Sequence, residues 1–124
     1  MPWSVRVLPD LPIVEVCYRG VPSLSEIWEV TKEILALSSF TERPYLLVDV
    51  TESEGGLSAI DLAGVAKVHA ANPNYSYHKE AIVLSAGPSA VEDAIHWRET
   101  AAKAGIRVEL FLERRDAIAW LLAR

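Results

Sequence analysis

Tyr45-Leu46-Leu47-Val48-Asp49-Val50 is an apolar run broken by a single carboxylate, preceded by Pro44 and followed by the polar stretch that begins at Thr51. A strand with one wet face would alternate apolar and polar residues. A continuous run this short, bounded by turn signals, reads as a strand buried on both faces, as in sheets covered by crossover helices. This run is therefore expected to be the central strand of an α/β domain.

The flanking segments fit that assignment. Val5 to Leu8 and Ile13 to Tyr18 are rich in β-branched residues and are separated by Pro9-Asp10-Leu11-Pro12, which predicts an antiparallel hairpin. Gly20-Val21-Pro22 then breaks the pattern. Ser23 with Glu26 three residues later is a capping box for a helix. On that helix Ile27, Trp28, Thr31, Ile34, Leu35 and Ser38 share one side and Glu26, Glu29, Lys32 and Glu33 the other. Ser58 with Asp61 repeats the capping pattern, and Leu62, Val65, Ala66 and His69 trace a second helix that stops at Asn72-Pro73. Asn74 to Lys79 is a connection, and Ala81-Ile82-Val83-Leu84 the next apolar strand.

Ser89 with Glu92 caps a third helix along Val91, Ala94, Ile95, Arg98, Ala101 and Ala102, with Trp97 flanking its stripe and Gly105 at C′. Val108 to Leu112 is a last strand and Asp116 to Leu122 a short helix, flanked by Trp120. The predicted fold is one α/β domain over residues 1–124, in the order β-β-α-β-α-β-α-β-α. It has a single mixed β-sheet with an antiparallel N-terminal hairpin and amphipathic crossover helices.

Composition narrows the function classes. With 124 residues, 51% hydrophobic and 23% charged, the chain can bury a core without disulfides or metals. The net charge is -5 and the longest basic run is Arg114-Arg115, so the footprint of nucleic-acid binding is missing. Cys17 is the single cysteine, which rules out an intrachain disulfide and suits a reducing compartment. No leader pattern opens the sequence, and no apolar stretch reaches the roughly 18 residues a bilayer span requires. A cytoplasmic protein without membrane insertion is expected.

In an α/β sheet, ligands and partners collect at the carboxyl ends of the strands. That rule points to Thr51 to Ser58, Ser85 to Ser89 and Glu113 to Asp116. Thr51, Glu52, Ser53, Ser58, Ser85 and Ser89 are the candidate binding residues; Ser58 and Ser89 also serve as ordinary helix caps. Asp49, Glu52, Glu54 and Asp61 offer carboxylate oxygens but lack EF-hand spacing, so no metal is expected. Ser85-Ala86-Gly87-Pro88-Ser89 lacks the lysine and glycine spacing of a P-loop, and no other cofactor motif occurs. Cys17 lies mid-strand, where a buried, inert thiol is the usual outcome. His69 lies on an apolar stripe, and no nucleophile elbow or HExxH pair occurs, so no enzyme is expected. The weakest reading is an active site in which Asp49, Glu52 and His78 converge. Tyr75 and Tyr77 in a polar connection, with Trp28 and Trp97, are candidate interface residues for a partner or a homodimer; rings covering the core edge are the competing account.

The element order, Gly20 after the hairpin, the strand YLLVDV and the C-terminal VELFLERRDAIAWL together resemble the STAS/SEC14 superfamily, specifically its SpoIIAA-like branch, over nearly the whole chain. The resemblance implies a non-catalytic interaction or regulatory module. In its partner-switching members a kinase phosphorylates a Ser or Thr after the central strand. The family pattern is an Asp at the strand end followed later by Asp-Ser-Ser-Gly. Asp49 matches the first part and Ser58 falls near the phosphoacceptor, but Leu57 precedes Ser58 and Ala59-Ile60 follow it. The SEC14 side of the resemblance implies the alternative, a small apolar, lipid-like ligand in a cavity of about a few hundred Å³.

Overall fold

The computed structural model describes residues 3–41, 45–53, 79–85, 88–103 and 105–123. Its strands are β1 (Trp3–Val7), β2 (Ile13–Gly20), β3 (Tyr45–Ser53), β4 (Glu80–Val83) and β5 (Val108–Phe111). Its helices are α1 (Leu24–Thr41), α2 (Pro88–Lys103) and α3 (Arg114–Leu122). The helix expected to start at Ser58 lies outside the described residues. The strands form one sheet in the order β1-β2-β3-β4-β5, with β1 antiparallel to β2 and the other pairs parallel. The apolar run that opens at Tyr45 is therefore the middle strand, as its two-sided hydrophobicity requires.

The hairpin turns at Leu8-Pro9-Asp10-Leu11, where the Leu11 amide donates to Leu8 O at 3.4 Å. Pro9 presets the second turn position, and Asp10 adopts a φ of 61° at the third, as a type II turn demands. Gly20, also at positive φ, ends β2 ahead of α1. There Ser23 Oγ accepts the Glu26 amide and donates to Glu26 Oε1, both at 3.2 Å, so the predicted cap forms.

Side chains alternate across the sheet and build two cores. One face collects Val14, Val16, Leu46, Val48, Ile82, Leu84 and Val108 under Val30 and Ile34 of α1 and Ala94, Trp97 and Ala101 of α2. The other face collects Ile13, Leu47, Ala81 and Val83 under Ala117 and Leu121 of α3. α1 and α2 bridge strand pairs that step in the same direction across the sheet, and both cover the first face. These two crossovers therefore share one hand.

Three features differ from the sequence expectation. α2 begins at Pro88, not at a Ser89 cap, because proline's fixed φ and missing N–H suit the first helical position. Trp97 lies within the buried stripe instead of beside it: it is 8% exposed, and its indole N–H donates to Glu80 Oε2. Lys79, read as part of a connection, is buried at 7% exposure. Its Nζ donates to Trp120 O at 2.7 Å and Ala123 O at 2.8 Å, and stands 4.9 Å from the Trp120 ring centroid. A cation on the last carbonyls of α3 satisfies orphan acceptors and complements the helix dipole.

Gly105 does end α2 as the sequence predicts. At φ 84° its amide donates to Ala102 O, and the Ile106 amide to Ala101 O, the two bonds of a Schellman cap. Ile106 then packs on the first core.

Leu47 is fully excluded from water. Leu47→Ala is expected to lower unfolding free energy by about 2–5 kcal/mol, seen as a lower urea midpoint at unchanged slope. A second expectation concerns Tyr18, whose phenol is pushed above its ordinary 10.0 by burial first, then by Glu80 and Glu26. The unfolded chain releases this proton near pH 10 and the folded chain holds it. Its contribution is therefore complete below pH 10 and lost as pH rises toward the folded value. Tyr18→Phe should flatten the decline of the urea midpoint between roughly pH 9 and 11.

Candidate functional site

The second face of the sheet changes character along its strands. Near the amino ends of the parallel strands it carries Ile13, Tyr45, Leu47 and Ala81 beneath α3. Toward the carboxyl ends of β2 and β3 it carries Glu15, Cys17, Arg19, Asp49 and Glu52, with Ser4 and Arg6 opposite Cys17 and Glu15 on β1. Ser4, Arg6, Arg19, Thr51 and Glu52 are exposed, Cys17 and Asp49 half-buried, and Glu15 buried. This polar half of the face is the candidate site.

Its geometry starts from a bulge. Cys17 pairs with Asp49 and Arg19 with Glu52, so β3 advances one residue more than β2 between these rungs. An extra residue leaves an amide off the ladder. Asp49 takes up the local bonds: its Oδ1 accepts the Thr51 amide at 2.9 Å and the Thr51 hydroxyl at 2.7 Å. The carboxylate of the YLLVDV motif thereby fixes the strand beyond it. Pairing resumes, and Arg19 Nε reaches Glu52 Oε2 at 3.1 Å. Thr51, Glu52 and Ser53, expected in a loop, are consequently the last rungs of β3.

A second constellation lies beside it. Glu15 Oε1 accepts from Arg6 Nε and Nη2, both at 2.8 Å, and Glu15 Oε2 from Arg114 Nε at 3.0 Å. One carboxylate thus joins the N-terminal hairpin to the first residue of α3. Burial of Glu15 is tolerated because both oxygens are engaged by cations. The alternation Val5-Arg6-Val7 against Val14-Glu15-Val16 is the sequence signal for this polar patch, since residues two apart share a face. The ion triad itself needed Arg114 from the other end of the chain.

The remaining sequence candidates are dispersed. Ser85 is half-buried after β4, and Ser89 lies in the first turn of α2, its side chain outside those described. Ser58, Tyr75, Tyr77, His69 and His78 lie outside the described residues. Trp28 packs partly buried against the first core, and Trp97 is a core residue, not an interface one. His96 is exposed on α2. Among the described residues no three His, Cys, Asp or Glu side chains converge for a metal ion, and no helix is long and apolar enough to cross a membrane.

The Cys17 thiol is pushed above 9.0, first by burial and next by the Asp49 carboxylate, with Arg19 opposing. It stays protonated near neutral pH and is a poor nucleophile. Alkylation of Cys17 by iodoacetamide should therefore run slower than that of free cysteine near pH 8, with its rate inflection above pH 9. Asp49→Asn keeps an oxygen for Thr51 while removing the charge, and should speed the reaction. An inflection at or below the free-thiol value would contradict this account.

No family model and no curated protein matches the sequence. Among solved structures the chain is similar to an uncharacterised protein of the DUF3478 family from Shewanella loihica PV-4, described as having a SpoIIAA-like fold. The TM-score is 0.66 at 18% identity, over 96% of this chain and 91% of the other. With the hairpin-edged mixed sheet and its flanking helices, this correspondence identifies the architecture: the chain has a SpoIIAA-like fold.

Proposed function

We propose that the protein is a non-catalytic interaction module that binds a protein partner through the carboxyl end of β3 and the polar half of the adjacent sheet face. The observation that carries this reading is the Asp49 lock on Thr51, which holds exposed Thr51 and Glu52 on an ordered strand end. A preordered polar surface binds with less loss of side-chain and backbone freedom. The start of α1 lies at this same end, after β2, and extends the surface. The groups beside it favour recognition over chemistry: the thiol is held protonated, while Glu15 and Glu52 are engaged by arginines.

Ser58 follows this strand end in sequence, and its phosphorylation by a cognate kinase is the switch we propose for partner release. The alternative of a lipid-like ligand finds less support, because Tyr18, Trp28 and Trp97 pack into the core between the sheet and α1 and α2.

Affinity capture from native lysate tests the reading. Wild type should retain a partner that Thr51→Arg with Glu52→Arg loses by at least about tenfold, since a reversed charge in an interface costs several kcal/mol. The double variant gives up the exposed Arg19–Glu52 pair and the Thr51 hydroxyl bond to Asp49 but keeps the Thr51 amide bond, so it should lose about 1–2 kcal/mol of stability and remain folded by far-UV circular dichroism. Ser58→Asp should lower recovery of the same partner. Equal recovery by the wild type and the double variant would remove this surface from the interface, and equal recovery by Ser58→Asp would remove the switch.

A further inference from the structure

Arg6 and Arg114 face the same carboxylate, yet neither is consumed by it. Arg6 spends Nε and Nη2 on Glu15, and Arg114 spends Nε alone. Most N–H donors of each guanidinium fork therefore remain unspent. The two arginine side chains are 64% and 47% exposed, whereas the Glu15 side chain between them is 10% exposed. The carboxylate is thus the buried member of the triad, and the two exposed forks, each within 3.0 Å of one of its oxygens, leave one positive charge in excess.

We infer that Arg6 and Arg114, held together by buried Glu15, form a binding site for a phosphate group. Three features support this. The forks are planar and multiply donating, a geometry suited to an oxyanion whose oxygens can be shared between them. Glu15 fixes both side chains beforehand, so binding does not have to order them. Arg114 is the first residue of α3, and the helix N-cap, Glu113, makes no side-chain capping bond. The helix start therefore keeps amide dipoles that favour an anion.

Neighbouring carboxylates set the limits of the site. Asp116 lies 4.0 Å from Arg115, and Glu113 is exposed. Asp49, on the strand next to Cys17, has Oδ1 turned to Thr51. An anion is therefore accommodated on the arginine side of Cys17 and repelled on the Asp49 side. Glu15 itself accepts from the forks and offsets one of their two charges, so the ligand meets a net charge of +1. This inference stands on the triad alone and holds whether or not a protein partner docks at the end of β3.

The test follows the arginine Nε–H signals by NMR while inorganic phosphate is added near pH 7.5 to the whole protein, with sodium chloride keeping ionic strength constant. The signals of Arg6 and Arg114 are expected to shift saturably, and that of Arg98, paired with Glu109, to remain in place. Arg6→Gln and Arg114→Gln should each weaken phosphate binding at least about tenfold, the loss of a hydrogen bond between charged groups. Arg6→Lys keeps the charge without the fork and should fall between. Far-UV circular dichroism establishes that each variant is folded, and Arg6→Lys alone decides the matter if Arg114→Gln loses α3. Acetate should bind more weakly than phosphate. Linear shifts, equal shifts with chloride, unchanged binding in folded Arg6→Gln, or tighter binding of acetate would overturn the assignment.

Discussion

Leu46 and Leu47 are neighbours in β3, point to opposite faces of the sheet, and are both shielded from water. Everything else in the architecture answers that two-sided demand. α1 and α2 cover the face that takes Leu46, with Val14 of β2 beside it and, on β4, Glu80, whose carboxylate accepts from the Trp97 indole. The face that takes Leu47 is covered by α3, a helix of nine residues. A helix this short is marginal in isolation and owes its order to packing. Ala117 and Leu121, one turn apart, supply the buried contact.

Two charged residues, Glu15 of β2 and Lys79 just before β4, secure the ends of α3. Glu15 receives Arg114 at its start, and Lys79 donates to the carbonyls at its end. Both are buried, and burying a charge costs several kcal/mol unless partners replace the lost water. Here the partners are arginines in one case and helix carbonyls with the Trp120 ring in the other. These contacts join residues far apart in sequence, and they define one orientation of the helix on the sheet. Among the described residues no helix packs on the polar half of that face beside the start of α3, where the candidate site lies.

At that site, several structural requirements meet in Asp49. It occupies the end of the apolar run as a carboxylate with hydrogen bonds to its own strand. It compensates for the bulge, extends β3 to Ser53 and raises the proton affinity of the Cys17 thiol. Asp49 thus has a local mechanical role within its own strand. Thr51 and Glu52 are thereby held exposed at the strand end.

The amino-acid sequence by itself determined the hairpin, the central strand, the Ser23 cap and the Gly105 stop, because turn chemistry, capping and hydrophobic period act over a few residues. It also carried the fold type, through the order of those elements. Only the tertiary structure decided that Thr51 to Ser53 continue the strand, since that depends on pairing with Arg19 and Gly20 of β2. The burial of Lys79 and Trp97 was likewise decided there, as each answers a group on another element. The Arg6–Glu15–Arg114 triad is the clearest case. Alternation in the hairpin marks Arg6 and Glu15 as sharing a face, but 99 positions separate Glu15 from Arg114, and only the packing of α3 across the sheet brings them within 3.0 Å.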